Sequence, residues 1–132
     1  MKSIELEKAL LGCLISDSEY IDSIRQYIPE DDFFYSSFNK DVWRALSKLR
    51  KNNSKIDLVT VCEEVGSTKN STTAKYEIAG FLDSVVSPSS SVEYAKRLHS
   101  YYLRRILYNQ MHDISKGIND AYLETSNLLE DV

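Results

Sequence analysis

Two histidines, two cysteines, a pair of aspartates and one cluster of arginines and lysines are the residues of this 132-residue chain whose types could do chemistry. His99 and His112 could bind a metal or move a proton. They stand 13 residues apart on what reads as a single helix, with no H-E-x-x-H and no cysteine-rich neighbourhood, so their spacing supports neither role. Asp31 and Asp32 form a carboxylate pair, the currency of acid–base catalysis, but a place at a helix start or in a loop explains them more simply. Cys13 and Cys62 both fall on apolar positions of helical stripes and read as buried free thiols rather than a disulfide. Gly12, Gly66, Gly80 and Gly117 are scattered, leaving neither a P-loop nor a G-x-G-x-x-G. No serine elbow or Cys/His pair can be recognised. The chain itself is expected to catalyse nothing and to hold no metal or cofactor.

Lys96, Arg97, Arg104 and Arg105, with Tyr101 and Tyr102 among them, are the one basic cluster. They could meet nucleic acid or an acidic partner, or be a solvated helix face whose arginines pair with Asp and Glu. A formal net charge of −4 favours the second reading, because a protein that grips DNA through its phosphates presents a basic face. Trp43 and the tyrosines could stack bases. Trp43 neighbours an apolar face, however, and Tyr20, Tyr27 and Tyr76 follow stripe periodicity, so they are assigned to the core. Tyr108 and Tyr122 suit an interface.

The elements that must position these residues all read as helices. With 42 % apolar and 27 % charged residues the chain is an ordinary globular one with a single core, and no run approaches the ~18 apolar residues of a membrane span. Ser3 can cap a first helix with Leu6, Ala9, Leu10, Cys13 and Leu14 inward. Asp17 or Ser18 opens a second (Tyr20, Ile21, Ile24, Tyr27, Ile28) that Pro29 stops. Phe33, Phe34 and Tyr35 form an aromatic plug. A third helix carries Phe38, Val42, Ala45, Leu46 and Leu49, and Asp57 caps a fourth with Leu58, Val61, Cys62 and Val65. Residues Ser67 to Thr73 read as a loop, followed by a helix with Tyr76, Ala79, Leu82 and Val86 on its inner side.

The last third is the most informative. One apolar stripe is expected from Ser91 to Tyr122 through Ala95, Leu98, Tyr102, Leu103, Ile106, Leu107, Met111, Ile114, Ile118 and Ala121, opened by a Ser90/Glu93 capping box. Roughly 30 residues make a rod of about 45 Å, whereas a domain of ~100 residues has a radius of gyration near 13 Å. Part of the stripe must find cover outside its own globule. Thr125 can cap a new helix with Leu128, Leu129 and Val132, and such a start without continuation implies a fragment of a longer protein. The expected architecture is all-α: a compact helical globule (1–88), then a long helix that starts a truncated hairpin (89–132).

The ordered motifs Glu5-Leu6-Glu7-Lys8-Ala9-Leu10-Leu11-Gly12, Pro29-Glu30-Asp31-Asp32-Phe33-Phe34-Tyr35, Ile56-Asp57-Leu58-Val59-Thr60-Val61, Tyr76 to Leu82, Pro88-Ser89, Val92-Glu93-Tyr94-Ala95-Lys96-Arg97 and Leu103-Arg104-Arg105-Ile106 resemble the N-terminal domain of DnaB-type replicative DNA helicases. Asn39 stands where that family usually has a histidine, and Ser91 where an asparagine is common. The resemblance implies a cytoplasmic protein of a bacterium or phage-infected host. Its hairpins would pair between subunits, and three such dimers would form a collar that docks primase or a helicase loader. DNA would be bound weakly if at all, and no membrane would be bound. The ATP- and Mg-dependent motor would lie in a C-terminal domain outside this chain. Leu103, Ile106, Leu107, Tyr108, Ile114, Ile118 and Tyr122 would form the subunit interface, with Lys96, Arg97, Arg104 and Arg105 as partner-docking residues. A primase's helicase-binding domain and a free-standing phage adaptor or decoy share this outline and stay open as alternatives.

Overall fold

Ser3 accepts a hydrogen bond from the Leu6 amide (3.3 Å) and so opens helix α1, Ile4–Ser16. In the computed structural model, which describes residues 3–66 and 71–130, five further α-helices follow. They are α2 (Tyr20–Ile24), α3 (Ser37–Lys51), α4 (Leu58–Gly66), α5 (Ser71–Asp83) and α6 (Ser91–Glu130), with 3₁₀ turns at Asp31–Phe33 and Pro88–Ser90. No strand occurs among the described residues, so the chain is all-α as expected. No described helix is long and apolar enough to cross a membrane.

Helix α1 is the hub, packed against α3, α5 and α6. Leu10, Leu11 and Leu14 lose all solvent contact there, each contributing about 1.5–3 kcal/mol through burial. Gly12 lets α1 meet α5 backbone to backbone. A Cβ at that position would lie 2.3 Å from the Phe81 carbonyl oxygen and 2.8 Å from Val85 Cγ2. Glu7, which no apolar pattern marks as internal, is 0 % exposed. Its carboxylate accepts from the Tyr35 amide (2.8 Å), the Ser36 amide (3.3 Å) and Asn39 Nδ2 (3.0 Å). It thereby supplies the acceptors that the turn before α3 lacks. Ser36 caps α3, accepting from the Asn39 amide. Asp57 and Thr60 exchange 2.9 Å bonds in a reciprocal cap that starts α4. The Asp22–Arg50 pair (2.8 Å) ties α2 to α3, and Lys48–Glu64 (2.6 Å) ties α3 to α4.

Several expectations need correction. Ser71, Thr72 and Thr73 belong to α5 rather than to a loop, while Ser67–Asn70 lie outside the described residues. The inner row of α5 is Ala74, Ile78 and Phe81, so Tyr76 (76 % exposed) faces outward, and Val86 (92 %) lies beyond the helix, which ends at Asp83. Both rows have helical spacing; the more apolar one wins the core. Glu93 reaches forward to Arg97 (3.0 Å), and the Ser91 hydroxyl donates to the Pro88 carbonyl. Gly117 neither ends nor begins an element. Thr125 starts no new helix: its hydroxyl donates to the Ala121 carbonyl one turn back (3.0 Å), a bond available to threonine inside a helix. Helix α6 therefore runs unbroken for 40 residues, about 60 Å.

Two substitutions test this frame by urea denaturation. Gly12→Ala is expected to cost about 1–3 kcal/mol by overpacking, and an unchanged midpoint would show that α1 and α5 can move apart freely. Glu7→Ala leaves three N–H donors without their acceptor, the Asn39 amide among them buried, and is expected to cost about 2–4 kcal/mol; a loss under ~1 kcal/mol would mean that water replaces the carboxylate.

Candidate functional site

The apolar residues of α6 lie on two different faces. Ser91, Ala95 and Leu98 are sealed in the globule and Tyr102 is packed against it. Leu98 and Leu107 are nine residues apart, two and a half helical turns, and so point in opposite directions; Tyr102 and Met111 bear the same relation. Beyond Tyr102 the globule-facing row turns polar, with Asn109, Asp113, Lys116 and Asp120. The apolar row continues on the far side through Leu103, Leu107, Met111, Ile114, Ile118 and Tyr122. All of these are exposed, from 45 % at Leu103 to 71 % at Met111. The single stripe expected from Ser91 onward is thus two stripes, and the second faces away from its own globule.

Of the interface residues named from the sequence, Leu103, Leu107, Ile114, Ile118 and Tyr122 fall on this outer row, and Tyr108 flanks it, exposed. Ile106 does not: it is half-buried, turned toward the globule side. Met111 belongs to the row at its centre. A row of exposed large apolar side chains on one helix is a surface that monomeric proteins seldom leave open.

The basic cluster is largely engaged within the chain. Lys96 Nζ lies 5.7 Å from the Tyr27 ring, Arg97 pairs with Glu93, and the Arg104 guanidinium sits 5.7 Å from the Tyr101 ring. Arg105 turns inward: Nη2 donates to the Phe33 carbonyl (3.2 Å) and the guanidinium packs 5.7 Å from both Tyr35 and Tyr102. Lys96, Arg97 and Arg104 remain exposed to solvent. Phe33 stacks on Tyr102 (3.9 Å) and on His99 (5.3 Å), and His99 Nδ1 meets the Tyr27 carbonyl at 2.8 Å. Facing a carbonyl, that nitrogen carries the proton, so His99 is a packing residue that joins α6 to the segment after α2. The aromatic plug is the socket from which α6 emerges.

Cys13 and Cys62 are free thiols, and burial pushes both upward from the ordinary cysteine range, which makes them poor nucleophiles. Asp31 pairs with Arg44 and Asp32 with Lys40. A feature the sequence reading missed is an apolar groove of about 580 Å³ between α4 and α5, lined by Leu58, Val59, Cys62, Tyr76 and Ala79. Its signal was the second helical row of α5, which was assigned to the core.

Fold and surface together define a helical domain with one long terminal helix whose outer face is apolar and uncovered. The sequence model of the DnaB-like helicase N terminal domain matches residues 1–100, and the chain belongs to that family. It is 27 % identical over 132 residues to the replicative DNA helicase DnaB of Rhodothermus marinus, covering 99 % of this chain and 14 % of that protein. Over 63 residues, 48 % of this chain and 14 % of the relative, it is 35 % identical to the replicative DNA helicase DnaB of Buchnera aphidicola subsp. Acyrthosiphon pisum (strain APS). The chain therefore spans about one seventh of these relatives' length. Its fold is that of the crystallised N-terminal domain of DnaB helicase from Mycobacterium tuberculosis, with a TM-score of 0.81 at 17 % identity, covering 87 % of this chain and 84 % of that one.

The socket at the base of α6 has a direct test. Arg105→Leu removes the charged donor to the Phe33 carbonyl and is expected to cost about 1.5–3 kcal/mol in chemical denaturation. A variant as stable as its parent would mean that Arg105 is an exposed cation.

Proposed function

We propose that this chain is an assembly and recruitment module, the N-terminal collar domain of a replicative DNA helicase that works in the bacterial or phage-infected cytoplasm. Residues 1–88 form its globular part, and residues 89–132 supply an arm that pairs with the arm of another subunit. Pairs assemble further into a trimer-of-dimers collar, which docks primase or a helicase loader. The ATP- and Mg-dependent motor is assigned to a separate domain, and this chain hydrolyses nothing.

One observation carries the reading: the outer face of α6 offers six large apolar side chains to water, on the side its own globule cannot reach. Family membership sets the context. The exposed Lys96, Arg97 and Arg104 are the part of the basic cluster available for docking an acidic partner surface. Arg105 acts through the socket instead.

Ile114→Asp probes the pairing. Burying such a side chain contributes about 1.5–3 kcal/mol, so the variant is expected to weaken self-association by at least tenfold while its helical content and thermal midpoint stay those of the parent. Equal sedimentation of variant and parent, both folded, would sink the assignment of this face.

A further inference from the structure

A second concentration of positive charge, apart from that of α6, lies along α3 and the turn after it. Residues 40–55 hold Lys40, Arg44, Lys48, Arg50, Lys51 and Lys55 against Asp41, a net of +5 in a chain whose total is −4. Toward the front of α3 this charge is answered, Lys40 by Asp32 and Arg44 by Asp31 and Asp41; in the turn, Lys55 meets Asp57. At the C-terminal end of the helix it is not. There an open pocket of about 780 Å³ lies between α2 and α3, lined by Arg25, Ser47, Lys48, Arg50, Lys51 and Asn53, with Asp22 the one carboxylate among its described lining residues.

The charges give this pocket a sign and a size. Lys48 is answered from α4 by Glu64 (2.6 Å). Arg25 (3.9 Å) and Arg50 (2.8 Å) share Asp22 between them, and Lys51 meets no carboxylate among the described residues. Three cations thus face one carboxylate, a surplus of two positive charges, and Glu19 adds only a longer-range field at Arg50. The carbonyls at the end of α3 would repel an anion, but they are already satisfied. Those of Lys48, Leu49 and Arg50 accept from the Asn52, Ser54 and Asn53 amides at 3.1, 2.9 and 3.1 Å. Asn53 makes this closure possible by taking the left-handed conformation (φ 53°).

Donors are unspent as well. Arg50 engages Asp22 through Nε and Nη2, leaving Nη1 over. Ser47 Oγ is the only buried side-chain polar atom among the described residues without a hydrogen-bond partner, an uncommon state for such an atom. Guanidinium forks, an ammonium and a hydroxyl around one cavity suit the tetrahedral oxygens of a phosphate. A phosphomonoester carries about −1.5 to −2 at neutral pH, which matches the surplus, whereas one carboxylate would leave half of it unmet. The pocket is also larger than a phosphate alone, and its open mouth admits a polar body such as a sugar.

We infer that the cleft between α2 and the C-terminal turn of α3 binds a terminal phosphate, held as a dianion by Arg25, Arg50 and Lys51 with the Ser47 hydroxyl as a further donor. A free sugar phosphate and the 5′-phosphorylated end of a nucleic-acid strand present this same group. The site shares no residue with the outer face of α6, so it stands whether or not that face pairs.

Trp43, the only tryptophan, reports on the pocket, because the Arg25 guanidinium lies over its ring at 5.8 Å. The test titrates the full chain with ribose 5-phosphate, and with hexathymidylate carrying either a 5′-phosphate or a 5′-hydroxyl, followed by Trp43 fluorescence and calorimetry. Both phosphomonoesters are expected to bind saturably, one per chain, with the 5′-hydroxyl strand weaker by about tenfold or more. Lys51→Ala breaks no ion pair and is expected to weaken ribose 5-phosphate roughly three- to fivefold at an unchanged thermal midpoint, with Lys51→Arg restoring the affinity. A phosphorylated strand that binds more tightly than ribose 5-phosphate identifies the strand end as the source, and equal affinity identifies the free ester; either result supports the site. Equal binding of the two strands would make this face a general contact for nucleic-acid backbone and overturn the inference. So would the absence of saturable binding by either phosphomonoester, or an affinity that Lys51→Ala leaves unchanged.

Discussion

A carboxylate sealed from water must be met by donors, and in this protein that requirement ties the first helix to everything that follows. Glu7 accepts two successive amides of the turn before α3 and the side-chain amide of Asn39 inside it. That turn continues from Phe33 and Phe34, which fill the space between α3 and α6. With the turn fixed, the Phe33 carbonyl is presented to Arg105 and the ring to Tyr102 and His99. The long helix therefore leaves the globule in a direction set, three contacts away, by one buried acid. Asn39 meets the requirement from inside α3: the carboxylate needs a donor, and its side-chain amide provides one.

Much of this was legible in the residues. Helices α1 and α4 announce themselves through a cap and an apolar row each, with Ser3 and Asp57 at their starts, and α3 through its apolar row alone. What was not legible is which of two rows a helix buries. Helix α5 has both Tyr76–Ala79 and Ala74–Ile78–Phe81 at helical intervals, and the buried row is the more apolar one, which meets Gly12 of α1 through Phe81. Helix α6 hid the same ambiguity more deeply, because its two rows abut at Tyr102 and Leu103 and read as one.

Glu7 and Thr125 illustrate the complementary failure. Each is a polar residue whose role depends on what lies near it in space. Glu7 looks like the exposed side of an amphipathic helix until the 35–36 amides are placed over it. Thr125 looks like a cap, a role that needs the preceding backbone to be non-helical; here that backbone is already helical, and the hydroxyl turns to the Ala121 carbonyl instead.

The change of side within α6 makes the helix a crank as well as a spacer. Because helix phase advances about 100° per residue, the bearing between globule and outer face is fixed by the number of residues between Leu98 and Leu107, independent of what those residues are. Substitutions there that keep the helix and the contacts of His99, Tyr102 and Arg105 leave the bearing intact. A single inserted or deleted residue would swing the outer face by more than a quarter turn relative to the globule, with every side-chain contact at both ends preserved.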